Sequence, residues 1–231
     1  MKFEACIESL EGAKLAAKYG ADRLELCAAL HEGGISPSSA LVKQVMQEVD
    51  LDVFAMIRPL AGGFQYSEEQ IDLMALDIEE MASIGVKGVV FGILNERSGI
   101  DLQANKRLVD MAHRYNMIPV CHRAFDFTPE PLIALDQLID LGFYRLLTSG
   151  QQAKAIDGLD LIRELKEKSK GRIEIMAGSG VAPQNLAAFS KSGIDAVHFT
   201  VGSFESDVPL GMGARLISDE AKVRKIMAFK K

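Results

Sequence analysis

Two short strand-like runs near the start of the chain each read Glu-x-Cys, as Glu4-Ala5-Cys6 and Glu25-Leu26-Cys27. Successive residues of a strand point to opposite faces. Phe3, Ala5, Leu24 and Leu26 suit contact with helices, so Glu4, Cys6, Glu25 and Cys27 face the other way, each cysteine nearer the carboxyl end. If the runs are neighbouring strands with thiols at matching heights, about 5–6 Å apart at Cα, the soft thiolates could clamp Cu(I) linearly. Cysteine also packs as a small hydrophobe, which is the competing structural reading. Adding His122 or His198 would approach a zinc donor set. A disulfide is opposed by reducing conditions. A carboxylate facing a barrel interior is costly unless paired, and Arg58 or a histidine is the expected partner for Glu4 or Glu25.

Farther along, His122-Arg123-Ala124-Phe125-Asp126 sets imidazole, guanidinium and carboxylate within five residues. A carboxylate that fixes a histidine tautomer makes an acid, base or ligand of it, and an arginine beside it holds an anion. Glu25, His122 and Asp126 are thus the candidate catalytic set, with Arg58 and Arg123 as candidate anion ligands. The turns Gly178-Ser179-Gly180 and Thr200-Val201-Gly202-Ser203 have the composition that lets backbone N–H groups cradle phosphate. No lysine lies at a strand's carboxyl end, since Lys87 comes at a strand's start, so Schiff-base chemistry is disfavoured.

Positioning such groups together requires a scaffold, and its period is written in the chain. Four times a helix-like stretch ends at a glycine and a short apolar run starts a few residues on, at Gly20, Gly85, Gly142 and Gly193. Each glycine fits the left-handed position that closes a helix. The strands fall near 3–6, 22–27, 53–58, 88–92, 118–122, 144–148, 173–177 and 195–199, with a last helix about 218–229. Eight β units alternating with helices demand parallel strands, and closure into a single (β/α)8 TIM barrel over residues 1–231 is favoured over an open sheet. Ser36-Pro37-Ser38 reads as a helix start, and Ser67 with Gln70 has capping-box spacing. His113 reads as a surface residue.

Composition excludes several classes. A net charge of −6 and a pI near 5.3 offer no basic stripe for nucleic acid. No apolar run reaches membrane-spanning length, and the start lacks a signal-peptide pattern, so a cytoplasmic protein is expected. Three cysteines, Cys6, Cys27 and Cys121, do not make a secreted disulfide scaffold.

Five ordered blocks then carry a resemblance: Ala21-Asp22-Arg23-Leu24-Glu25-Leu26-Cys27, Glu32-Gly33-Gly34, Ile57-Arg58-Pro59, His122-Arg123-Ala124-Phe125-Asp126 and Leu146-Leu147-Thr148-Ser149-Gly150-Gln151. Together they resemble the CutC family. The resemblance implies a cytoplasmic barrel, usually a homo-oligomer, linked to copper homeostasis, with Cys6 and Cys27 matching the proposed Cu(I) ligands. Thr148 and Ser149, inside one block, join His198, Gly178, Ser179 and Gly180 as candidate ligand-binding residues. The chain departs from the family at Leu60-Ala61-Gly62-Gly63, where an arginine and an acid are replaced, and from Gly211 to Lys231. Three readings follow: a Cu(I)-binding protein using Cys6 and Cys27, an enzyme acting on a small anionic or phosphorylated metabolite, and a structural or interaction protein.

Overall fold

The computed structural model describes residues 1–205 and 214–230. Eight strands, β1 (Lys2–Ile7), β2 (Arg23–Leu26), β3 (Asp52–Met56), β4 (Gly88–Phe91), β5 (Ile118–Cys121), β6 (Arg145–Thr148), β7 (Glu174–Gly178) and β8 (Ala196–Thr200), close into a parallel barrel in that order. Helices α1 (Leu10–Tyr19), α2 (Ser39–Glu48), α3 (Glu68–Ile84), α4 (Leu102–Arg114), α5 (Pro131–Leu141), α6 (Leu159–Ser169), α7 (Leu186–Lys191) and α8 (Glu220–Met227) flank it. This is a (β/α)8 TIM barrel. After β8 the chain adds an antiparallel hairpin of β9 (Gly202–Glu205) and β10 (Arg215–Ser218) before α8.

The helix boundaries follow local chemistry. Ser38 caps α2, and Ser67 and Gln70 form a reciprocal capping box on α3. Gly20, Gly85 and Gly142 close their helices at φ of 82°, 89° and 94°, where a side chain would be strained.

Strand alternation divides the apolar residues into two populations. Phe3, Ala5, Leu24, Leu26, Val53, Phe91, Leu146, Val197 and Phe199 face outward and join one continuous core with the helices. Inside the barrel are a cluster of Cys6, Cys27, Phe54, Met56, Val90 and Val120, and a smaller one of Leu147, Met176 and Ala196. Cys121 belongs to the outer core, its thiol donating to the His122 carbonyl, which removes it from the mouth.

Phe54 occupies much of the interior because Gly88 opposite it has no side chain. A Cβ there would collide with the Ile118 carbonyl and the Phe54 ring. Gly88→Ala is therefore expected to cost about 1–3 kcal/mol through overpacking. A urea midpoint within error of the parent would contradict this packing.

Candidate functional site

The parallel register sets the geometry of the thiols. Cys6 lies opposite Glu25, so Cys27 stands two residues farther toward the carboxyl end than the level of Cys6. The two cysteines are not at matching heights as expected. The side chains nevertheless lean together: Cys6 Sγ, Cys27 Sγ and a Glu25 carboxyl oxygen all lie within 4.8 Å of one another, and all three residues are buried. Cys27 Sγ donates to Glu25 Oε1 at 3.5 Å, while Glu25 Oε2, also buried, has no partner among the described residues. Gly34, in left-handed conformation at φ 87°, closes the loop after β2 over Cys27, where a Cβ would stand 3.1 Å from the sulfur.

Beneath the thiols lies an ionic ladder. Glu4 Oε2 accepts from Arg23 Nε at 2.6 Å and from Arg145 Nη1 at 3.3 Å. Both guanidiniums also reach Glu174 Oε1, at 2.5 and 2.8 Å. Phe54 packs against both, its ring centroid 5.9 Å from Arg23 and 4.5 Å from Arg145. The other Glu4 oxygen meets His198 Nδ1 at 2.9 Å. Glu4 is thus paired as burial requires, by Arg23, Arg145 and His198.

The expected partner Arg58 plays a different part, which is a correction. The chain leaves the β3 ladder at Met56, so alternation no longer governs Arg58. Its guanidinium donates to the carbonyls of Glu32, Gly34 and Gly62 and stacks 5.1 Å from the Phe64 ring centroid. It ties two loops together and pairs with neither glutamate. The Leu60–Gly63 segment thereby supplies a backbone carbonyl to Arg58 in place of charged side chains.

Asp126 departs from expectation too. Its carboxylate accepts from Thr148 Oγ1, Ser149 N, Ser149 Oγ, Gln151 N and Arg123 Nε, and it does not touch His122. The short 3-10 turn Arg123–Phe127 aims it at β6 and away from the imidazole. His122 Nδ1 instead accepts from Ala124 N at 3.2 Å, and its buried Nε2 has no partner among the described residues.

A cavity of about 300 Å³ opens above these groups. Cys6, Glu25, His122, Arg123, Ser179, Gly180, His198 and Thr200 line its polar parts, and Leu30, Met56, Phe64, Leu147 and Phe204 its apolar wall. Ser179 Oγ is committed to the Ala153 carbonyl, and β8 runs on into the β9 hairpin, where a helix start would have been needed for a dipole-assisted phosphate site. Lys222 reaches the end of β8 from α8, donating to Thr200 Oγ1 at 3.1 Å and Gly202 O at 2.6 Å. A lysine therefore does stand at a strand's carboxyl end, but it does not line the cavity.

Electrostatics single out one anion at the mouth. Burial pushes Glu4 up, but the His198 hydrogen bond and the Arg23 and Arg145 charges outweigh it and hold the carboxyl at about 2. For His198, burial is overcome by the Glu25 and Cys6 charges and by hydrogen bonds to Cys6 and Glu4, so the imidazole is held well above its usual value. Two guanidiniums and one imidazolium face the carboxylates of Glu4 and Glu174, which leaves one positive charge over. Cys6 and Glu25 compete to neutralise it. The hydrogen bond from Cys27 is the largest influence on Cys6; with His198 it overcomes burial and lowers the thiol to about 6. Burial pushes Glu25 up to about 8, with His198 opposing and the Cys6 and Glu4 charges adding. The Cys6 hydrogen bond, then burial, drive Cys27 well above its ordinary value. These directions favour a thiolate on Cys6, with the protons kept on Glu25 and Cys27.

The raised Glu25 has a consequence for stability. Its folded value is about 8 against an ordinary 4.5, so the folded chain keeps a proton that the unfolded chain gives up above about 4.5. The associated stability is present below that point and is lost as pH rises toward 8. Glu25→Gln is expected to flatten the loss, its thermal midpoint exceeding that of the parent more at pH 8 than at pH 5. Parallel midpoints at both pH values would remove the basis for a protonated Glu25.

The alternation rule, applied to β2 and β6, could have found Arg23 and Arg145, each two residues before an inward-facing neighbour. Glu174, at the start of β7, carried no such signal before the register was known.

Comparison with known proteins places this architecture. The model of the CutC family matches residues 1–203. The family protein CutC of Pasteurella multocida is 38% identical over 228 residues, covering 98% of this chain and 93% of the relative. The copper homeostasis protein cutC homolog of Homo sapiens is 39% identical over 244 residues, covering 99% and 88%. A solved structure of CutC from Streptococcus agalactiae, described in terms of copper homeostasis, superposes with a TM-score of 0.81 at 32% identity, covering 86% of this chain and 97% of that one. A 3-hexulose-6-phosphate synthase structure, at 18% identity and a TM-score of 0.64, shares the barrel alone. Among the described residues no helix is long and apolar enough to cross a membrane.

Proposed function

The chain belongs to the CutC family, a family of copper homeostasis, and from that premise we propose that it binds Cu(I) as cargo between Cys6 Sγ and Cys27 Sγ at the barrel mouth. The observation that carries the reading is the approach of these two buried sulfurs and the Glu25 carboxyl to within 4.8 Å of each other. Two metal–sulfur bonds of roughly 2.3 Å, the length known for zinc thiolates, span about 4.6 Å in line. A disulfide fits less well, because the two-residue offset in register separates the Cα atoms by roughly 7–8 Å.

Charge balance favours a monovalent ion. In the ground state the site holds one anion, the Cys6 thiolate, against the one positive charge left over by the ladder. Cu(I) entry displaces the Cys27 proton and yields a bis-thiolate complex of charge −1, so the buried charge is unchanged. A divalent ion on the same sulfurs would leave the site one charge too positive unless Glu25 also ionised. The Glu25 carboxyl lies 3.5 Å from the Cys27 sulfur, and the His198 cation, held by Glu4, stabilises the Cys6 thiolate.

Because binding releases a proton, affinity is expected to rise with pH above about 6, where Cys6 is already ionised and Cys27 is not. The test is competition against a chromogenic Cu(I) chelator. Replacing both Cys6 and Cys27 by serine should abolish stoichiometric binding, while Cys121→Ser, outside the barrel interior, should leave it intact. Unchanged affinity in the double variant would overturn the assignment.

A further inference from the structure

The copper reading uses the β1–β2 side of the mouth and leaves the β5 side without a role. We propose that the His122 side of the cavity binds a small monocarboxylate with an apolar body, one oxygen held by His122 Nε2–H and the other by the Arg123 guanidinium. Several observations converge on it. His122 is 4% exposed and lines the cavity, and its tautomer is fixed: Nδ1 accepts from Ala124 N, so the proton resides on Nε2. That N–H is desolvated and finds no acceptor among the described residues, an arrangement a ligand oxygen would satisfy. Burial, with the Arg58 charge adding, pushes His122 down to about 3, so the ring is a neutral donor.

Arg123 borders the same cavity. Its Nε is bound to Asp126 and its Nη2 to Ser149 Oγ, which fixes the guanidinium plane, while Nη1 makes no hydrogen bond among the described residues. A planar fork with a donor to spare suits a carboxylate. Phe64, 4.8 Å from the His122 ring by centroids, and Met56 and Leu147 supply the apolar wall. The volume of about 300 Å³ is at the small end of ligand pockets. A phosphate dianion is a poorer fit, since the Ser179 hydroxyl is already spent and no α-helix start is among the described residues that line the cavity.

The probe is benzoate, titrated into the metal-free full chain with the histidine rings labelled for NMR. His31 and His113 lie outside the cavity and serve as internal references. A saturable shift of the His122 Nε2–H signal, with the references still, is the expected result. His122→Asn keeps an acceptor for Ala124 N but lacks the ring donor, so it should weaken benzoate by about tenfold or more without unfolding the chain. Arg123→Gln should weaken it in the same direction. His122→Asn and Arg123→Gln, both remote from the sulfurs in the copper reading, should bind Cu(I) as the parent does, which separates this site from that reading. The proposal is overturned by no saturable shift at millimolar benzoate, or by unchanged benzoate affinity in His122→Asn. Inorganic phosphate shifting Ser179 and Gly180 amides while benzoate leaves His122 unmoved would likewise reassign the anion to the β7 turn.

Discussion

Glu4→Gln is expected to destabilise the barrel by about 3–5 kcal/mol at pH 7, the range for breaking a buried ion pair from one side. The substitution is nearly isosteric, so the cost is electrostatic. It leaves Arg23, Arg145 and His198 facing a neutral amide, with only Glu174 to balance them. Glu4 is held at about 2 against an ordinary 4.5, and a depression of that size corresponds to about 3 kcal/mol. The sign fixes the pH window: this stability is complete above the unfolded value near 4.5 and is lost as pH falls through the folded value near 2. Urea unfolding of parent and variant should therefore differ most at neutral pH, draw together below about 4.5 and converge as pH approaches about 2. A gap under about 1 kcal/mol at pH 7, or one that persists undiminished at low pH, would refute the ladder as drawn. The same substitution frees His198 Nδ1 and weakens the hold on the mouth, so Cu(I) affinity should change as well.

The closed barrel and the inward set of Glu4, Cys6, Glu25, Cys27 and His198 were legible in the sequence because both depend on short-range regularities. Glycine-terminated helices recur at a fixed phase with apolar runs, and period-two alternation assigns faces within each strand. What was not legible depends on relations between strands and on where a strand stops. Cys6 faces Glu25, one layer below Cys27, because parallel register is set by the whole barrel and no local pattern encodes it. Arg58 was assigned to the interior by extending alternation past Met56, where the ladder ends and the side chain turns toward loop carbonyls. Lys222 was invisible because it approaches β8 from a helix more than twenty positions later. Proximity in sequence misled in the opposite sense for His122 and Asp126, whose side chains diverge within one 3-10 turn.

Asp126 therefore invites the second large effect. A catalytic carboxylate is often replaceable with little loss of stability, whereas this one organises a loop. Its two oxygens collect the backbone N–H groups of Ser149 and Gln151, the hydroxyls of Thr148 and Ser149, and the Arg123 guanidinium. Thr148 and Ser149 are fully buried, and the Asp126 side chain is only 4% exposed, so water cannot take over all of these bonds. Asp126→Ala is expected to cost about 3 kcal/mol or more, the sum of at least two desolvated donors left without an acceptor. Asp126→Asn should recover part of this, since one amide oxygen still accepts while the NH2 group opposes donors. Because the carboxylate does not line the cavity, Cu(I) binding by the folded fraction should be unchanged in both variants. Arg123, released from Asp126, should bind benzoate more weakly. A variant that keeps parental stability in urea would return Asp126 to the candidate catalytic set, because only a carboxylate not needed to hold the loop can be removed so cheaply.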